Sequence, residues 1–309
     1  MEQKHSVGGQ AVIEGVMMRG IKGIATAVRK EDGTVSLDIK EKLPAAKKNK
    51  FFALPIVRGF VSLIESTIVG IETLNYSASL FEDETEEPSK FENFLNKVFK
   101  NNANKVILAF SLCFSFVFAI GIFFILPTFA ANLASKSIKS NSIILNLIEG
   151  IIRVAIFIIY LFLVGKLEDV NRVFEYHGAE HKAVFCYEKG EELTPYNAAK
   201  CSRFHPRCGT NFLFLVMIVS ILLFSLTGWN SLPIRIISRI VMLPLVSGVT
   251  YEIIKWLGKS DNAISKIISY PGLMLQRLTT REPDESQLEV AITALKAAEG
   301  IEIWKYSNY

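Results

Sequence analysis

Histidine and cysteine are scarce in this chain, with four of each among 309 residues. Yet three of the histidines and three of the cysteines fall between His177 and Cys208, so the residue types that bind metals crowd into one short stretch. Net charge is also low. An excess of +4 at pH 7, with no basic run interleaved with aromatics, leaves no electrostatic footprint for nucleic acid, and no nucleic-acid partner is expected. The N-terminal residues do not combine a basic region, an apolar run and a small-residue cleavage site; the membrane signal is therefore expected to be internal rather than a secretory peptide. The glycines do not follow phosphate-loop spacing, which argues against nucleotide binding. No internal repeat or low-complexity tract is present.

Apolar sequence is what the chain has in abundance: 50% of its residues are hydrophobic and its mean hydropathy is positive. Val106 to Leu126 carries no charge. At about 1.5 Å per residue it is long enough to cross a hydrocarbon core of about 30 Å. Ile143 to Gly165 is a second span, interrupted by Glu149 and Arg153. Phe212 to Trp229 is a third, short but free of charge, and Pro233 to Leu257 a fourth, with Arg235 and Arg239 near its start and Glu252 near its end. Lysine and arginine gather before the first span, between the second and third, and in the tail, while the other two links hold few. Basic loops stay in the cytoplasm, so this alternation predicts a multi-pass protein of the cell membrane with both termini cytoplasmic. The His/Cys stretch then faces a reducing compartment, where cysteines serve as metal ligands or core residues rather than disulfide partners.

The expected fold is an α-helical integral membrane protein of about four spans with a cytoplasmic α+β domain. Residues 1–50 form a β-rich cytoplasmic segment. Gly23 to Lys30 and Thr34 to Lys40 alternate apolar and polar positions around Glu31-Asp32-Gly33, the pattern of a β-hairpin. The glycine-rich run from Gly8 to Gly20 reads as a strand with bends under that hairpin, its glycines suggesting close backbone approach; a sharper reading puts Glu14 and Arg19 at the edge of a site. Residues 51–80 form an amphipathic helix on which Arg58, Glu65 and Glu72 recur every seven residues as a polar stripe. Such a helix lies in the membrane interface or packs its stripe on protein; the interface is expected here, with spanning as the runner-up, which would put the lysine-rich N-terminus outside against the charge bias. Residues 81–105 form a polar linker whose acidic stretch, Glu82 to Glu87, is a solvated loop. Residues 106–165 and 212–257 form transmembrane hairpins and 166–211 the cytoplasmic His/Cys loop. In the helical tail, residues 258–309, Pro271-Gly272 breaks one helix and Glu282-Pro283-Asp284 starts another. Leu288, Ala291, Ala294 and Leu295 form its docking face.

The chemistry concentrates in Tyr176-His177-Gly178-Ala179-Glu180-His181-Lys182. This is H-x-x-E-H, the spacing of inverted zinc-peptidase motifs. On a helix His177 and His181 share a face, so both could bind one metal with Glu180 beside it to hold or deprotonate a water. A second group follows in Cys201-Ser202-Arg203-Phe204-His205-Pro206-Arg207-Cys208, where thiolate and imidazole suit zinc. The metal candidates are therefore His177, His181, Cys201, His205 and Cys208, and the implied cofactor is a divalent metal, zinc. Five ligands exceed what one catalytic zinc uses, and Gly178 weakens the helix where the motif needs it. If all the cysteines bind, the site is structural; if the two motif histidines bind with one more ligand, a position stays open for water. Glu149 and Arg153, four apart, could pair inside the bilayer, where a charge is a functional suspect. Glu252 is a further metal-site candidate, placed where the fourth span returns to the face of His177.

Four longer runs resemble the YqhQ-like family: Gly8 to Gly20, Tyr176 to Lys182, Phe204-His205-Pro206-Arg207-Cys208-Gly209-Thr210-Asn211-Phe212, and Pro271-Gly272-Leu273-Met274-Leu275-Gln276-Arg277-Leu278-Thr279-Thr280. The resemblance covers nearly the whole chain. It implies a bacterial multi-pass membrane protein with plant relatives, of unknown function and described as a predicted metal-dependent enzyme. The resemblance to inverted zinc peptidases covers only the five-residue motif. The leading expectation is a metal-dependent hydrolase at the cytoplasmic membrane face, with Glu180 as general base and His177, His181 and one of His205 or Cys208 as ligands. The rival is a non-enzymatic transport or assembly factor whose His/Cys cluster is structural. A third reading, a small transporter using Glu149 and Arg153, has little room in four spans without oligomerisation. Expected partners are membrane lipids and a second copy or another membrane protein.

Overall fold

The computed structural model describes residues 7–41, 50–81, 103–137, 141–229, 231–258, 260 and 262–301. The acidic stretch Glu82 to Glu87, most of the 81–105 linker and several of the lysines behind the topology expectation lie outside them. The chain divides into two compact units: Met1–Phe81 with Tyr160–Val219 and Met242–Tyr309, and Glu82–Ile159 with Ser220–Val241.

The first unit is built on an antiparallel sheet of order β1-β2-β3-β4, with β1 Gly8–Val12, β2 Gly15–Arg19, β3 Ile24–Arg29 and β4 Val35–Lys40. The Asp-Gly hairpin forms as its sequence requires. Asp32 Oδ1 accepts from the Thr34 N–H at 2.9 Å and its hydroxyl at 2.6 Å, Gly33 takes φ +81°, and Thr26 pairs with Asp38. The Gly8–Gly20 run is not one bent strand. It is a second hairpin, with Val12 paired to Gly15 around a two-residue loop whose second residue, Glu14, sits at φ 49°. Side chains alternate across the sheet. Val16, Met18, Ala25 and Ala27 join a buried core with Ala179, Ala183, Ala291 and Leu295, while Met17 and Ile24 meet Val69. These come from helices α1 (Val57–Ser79), α5 (Glu168–Lys189) and α10 (Glu285–Glu299), so the sheet is covered on both sides.

Helix α1 turns part of its polar stripe, Arg58 and Glu65, onto protein, while Glu72 is exposed. Arg58 donates to Glu252, Arg19 pairs with Glu65, and the Tyr76 and Ser36 hydroxyls are 2.9 Å apart. Its outward positions are Leu63, Ile64, Ile68 and Leu74. Part of the stripe thus packs on protein, and the opposite face is apolar and exposed. Helix α10 starts with a capping box in which Asp284 and Gln287 satisfy each other's backbone, and it buries Leu288, Ala291, Ala294 and Leu295 as expected. Pro271-Gly272, by contrast, does not break its helix: α9 runs unbroken over Ala263–Thr279. Pro271 is exposed, and the opposite face is pinned by Gln276, which accepts from the His205 N–H and donates to the His205 carbonyl.

In the second unit, α2 (Ala103–Ile120) passes through a π-helical turn at Gly121–Ile125 into α3 (Leu126–Ser137), and α4 (Ser142–Val164) follows. Among the described residues three helical stretches are long and apolar enough to cross a membrane: Ala109–Leu133, Ser142–Val164 and α8, Leu232–Leu257. The fourth expected span is the shorter apolar helix α7, Gly209–Ser225; a five-residue helix, α6 (Pro195–Ala199), lies between α5 and α7.

Leu295 is fully buried between sheet and helices. Leu295→Ala is expected to cost about 2–5 kcal/mol, and Ile267→Ala, at an exposed position, less than about 0.5 kcal/mol. Unfolding of the detergent-solubilised protein, followed by circular dichroism, measures both.

Candidate metal centre

Helix α5 carries the H-x-x-E-H motif through its middle without interruption. Gly178 is there for space. A Cβ on it would lie 2.0 Å from the Arg281 carbonyl oxygen, so only glycine lets the tail cross the helix at this point, where the Arg281 N–H donates to the Phe174 carbonyl. That crossing delivers the Thr279 carbonyl to His177 Nδ1 at 2.8 Å. His181 Nδ1 meets the Arg203 carbonyl in the same way. A carbonyl is an acceptor only, so each ring carries its proton on Nδ1 and presents an Nε2 lone pair.

Those lone pairs converge. His177 Nε2 is 3.2 Å from Cys208 Sγ, and one ligand atom each from His177, His181 and Cys208 lie within 4.8 Å of one another. Cys208 immediately precedes α7, where its sulfur accepts from the Thr210 N–H at 3.4 Å, which orients it. His181 is 2% exposed; among the described residues its buried Nε2 completes no well-aligned hydrogen bond, and the group it faces is the Cys208 thiol. Burial holds the His181 pKa below its usual value, keeping the ring in the neutral form that binds metals. Glu180 Oε2 lies 4.0 Å from His177 Nε2 and 3.7 Å from His181 Nε2. Burial raises its carboxyl above the ordinary range, partly offset by the neighbouring His177 and His205 rings and the Gly9 N–H. Gly9 explains part of the glycine-rich run: a Cβ there would sit 2.9 Å from Glu180 Cγ, so β1 backs the site.

The other sequence candidates fall elsewhere. His205 is buried beside the cluster, its ring centroid 5.7 Å from that of His181, but both its nitrogens are engaged: Nδ1 accepts from the Arg207 N–H at 3.2 Å and Nε2 faces Glu188 at 3.4 Å. Cys201 groups instead with Cys186 and Glu191. Glu14 binds Arg172 and accepts from the Tyr176 hydroxyl, and Arg19 and Glu252 hold α1. Glu149 and Arg153 do pair, at 2.9 Å, and Arg239 joins them at 2.6 Å. Sequence reasoning missed Lys182, which is buried and donates to the Ala199 and Cys201 carbonyls at 2.9 Å each and pairs with Glu282. Its position one residue after the motif was the only signal. The donor set of two neutral imidazoles and one thiol fits a zinc-like ion.

A four-stranded sheet, span-length apolar helices and one buried His/Glu/Cys cluster define the class. The chain belongs to the family described as Protein of unknown function (DUF1385), whose model matches residues 54–300. It is 33% identical over 296 residues to the uncharacterized protein YqhQ of Bacillus subtilis (strain 168), covering 94% of this chain and 92% of that protein. No solved structure matches.

The second thiol pair has its own signature. Cys186 Sγ and Cys201 Sγ donate to the carbonyls of Glu192 and Asn197, and burial pushes the Cys186 thiol from 9.0 up to about 11. At pH 8 only on the order of 10⁻³ of it is thiolate. Iodoacetamide at that pH is expected to spare Cys186 in the native protein and modify it in denaturant, read by peptide mass spectrometry. Because the folded state holds the proton more tightly, this group's contribution to stability is full below pH 9 and is lost as the pH rises through about 11.

Proposed function

We propose that this protein is a metal-dependent hydrolase at the cytoplasmic face of the membrane, with one zinc-like ion held by His177, His181 and Cys208. The observation that carries this reading is the buried Nε2 of His181, aimed at a thiol and a second imidazole whose remaining nitrogen is fixed by a carbonyl. Backbone carbonyls on the far nitrogens are what metal-binding histidines need to set their tautomer. When bound, such an ion supplies Lewis acidity to a water or a substrate carbonyl. Glu180 accepts and passes on the proton. Burial raises its pKa, which strengthens it as a proton acceptor, and its distance from both Nε2 atoms sets it beside the proposed ligands rather than among them. The burial of Glu180 and His181 favours a second reading, a structural metal cluster in a membrane transport or assembly factor.

Metal analysis and one substitution separate these readings. The purified protein is expected to hold about one equivalent of zinc. Cys208→Ala and His181→Ala each lower its affinity at least about tenfold, while Cys201→Ala, outside the cluster, leaves it unchanged. No transition metal above background in freshly purified protein sinks the metal reading. Glu180→Gln is expected to keep fold and metal and fail to complement a deletion strain; full complementation rules out the hydrolase and leaves the structural cluster.

The reading includes a topology. Helices α2–α3, α4, α7 and α8 cross the membrane, and the sheet, α5 and both termini lie in the cytoplasm. Lysine-rich flanks and the apolar outward face of α1 support this arrangement. A membrane-impermeant thiol reagent on intact cells is expected to label a cysteine introduced at Ser140 and to leave one at Ser36 unlabelled; the reverse pattern inverts the topology.

A further inference from the structure

The second unit holds a charge imbalance. Across Ala109–Leu133, α4, α7 and the start of α8 the only charged side chains are Glu149, Arg153, Arg235 and Arg239. Glu149 is saturated: Oε1 accepts from Arg153 Nη2 at 2.9 Å and from the Thr128 hydroxyl at 2.8 Å, and Oε2 from Arg239 Nη2 at 2.6 Å. Arg153 also reaches the Phe123 carbonyl at 3.0 Å, and Arg239 reaches Asn146 Oδ1 at 3.3 Å. Arg235 is left over. It is 2% exposed, lies 3.7 Å over the Trp229 ring, and donates one long bond, Nη2 to Asn132 Oδ1 at 3.3 Å. Among the described residues its buried Nε and Nη1 have no hydrogen-bond partner.

A guanidinium cannot shed its charge by deprotonating, and an uncompensated charge inside an apolar helical unit is strongly unfavourable. Three arginines around one carboxylate leave two positive charges with no described anion to meet them. The unused donors lie on the one arginine that has no carboxylate.

We propose that the helical unit contains a phosphate-binding site at Arg235, bordered by Asn132 and Trp229, which takes either free phosphate or the phosphate of a lipid headgroup. Phosphate offers several acceptor oxygens to Nε and Nη1 and the charge that balances the arginine excess. Trp229, stacked on the guanidinium, closes one face of the site and reports on it. This site is separate in residues and in chemistry from the metal centre, and stands whether or not that centre is catalytic.

The test uses the full chain in phosphate-free neutral detergent, with Trp256→Phe and Trp304→Phe so that Trp229 is the sole tryptophan. Inorganic phosphate and phosphatidylglycerol bicelles are titrated in parallel, with phosphatidylcholine bicelles as control. A saturable shift in Trp229 emission and a rise of several degrees in Tm are expected with at least one probe. Response to phosphatidylglycerol but not phosphate assigns a lipid headgroup; response to inorganic phosphate assigns the free ion. Arg235→Gln is expected to weaken either response at least tenfold. Asn132→Asp keeps the arginine and supplies a carboxylate from within, so it is expected to raise Tm without added phosphate and to abolish the response, which keeps the test decisive should Arg235→Gln fail to fold. Silence of the wild type toward both probes, a wild-type response in Arg235→Gln, or an unchanged response in Asn132→Asp each overturn the proposal.

Discussion

A helix that buries polar side chains must find a partner for each of them elsewhere in the chain. Helix α5 buries Glu180, His181 and Lys182 in succession, and that one fact organises the first unit. Glu180 needs the backbone of β1 at Gly9, His177 and His181 need the carbonyls of Thr279 and Arg203, and Lys182 needs those of Ala199 and Cys201 together with Glu282. Segments from residue 9 to residue 282 are thereby fixed to one helix. Leaving one such buried group unpaired costs about 1–3 kcal/mol, and more for a charge. The arrangement is cooperative: the tail cannot dock without Gly178, and the histidine tautomers cannot be set without the tail.

Much of this was legible in order rather than in detail. The Asp-Gly turn, the alternation of Val35, Leu37 and Ile39, and the apolar face Leu288, Ala291, Ala294 and Leu295 are local signals, and local physics decides them. The clustering of scarce histidines and cysteines pointed to a stretch in which three of them, His177, His181 and Cys208, converge. Division of labour within it was not legible. Cys201 and Cys208 look equivalent in sequence, yet Cys201 follows α6 into the core beside Cys186, whereas Cys208 immediately precedes α7 and turns its sulfur to His177. His205 resembles a ligand until its two ring nitrogens are counted against Arg207 and Glu188.

Glycine and proline misled for a related reason. Pro271-Gly272 reads as a break and Gly178 as a weak point, but both serve tertiary contact, as the close approach expected of the Gly8–Gly20 glycines does at Gly9. Gly178 weakens α5 by about 1 kcal/mol relative to alanine, which is small beside the contacts that the Arg281 crossing permits. The Gly8–Gly20 run spends its glycines on a hairpin and on the approach of β1 to Glu180. Pro271 sits on the exposed side of α9 while Gly272 faces Asn211, where a Cβ would lie 1.9 Å from the amide oxygen. Tertiary packing overrode propensity at each of these positions, and a single sequence does not record the partner that does so.

The two units end with opposite deficits. In the first, an imidazole nitrogen and a thiol converge with lone pairs to give, and the deficit is of a cation. In the second, Arg235 has N–H groups to give, and the deficit is of an anion. Buried polar groups are rarely left unpaired, because the desolvation penalty falls in full on the unmatched group. Where the unmatched groups are ordinary, as with Asn211 Oδ1 pressed against Gly272, tight packing is reason enough. A histidine nitrogen beside a thiol and a permanent cation among apolar helices are different cases: burial disfavours protonating the first, and the second cannot lose its charge. Glu149 shows what a matched site in the same unit looks like: both oxygens filled, two guanidinium groups within 3 Å. Arg235 has the burial of that site without a carboxylate on its own N–H groups, and His181 turns its Nε2 toward the Cys208 thiol and the His177 ring.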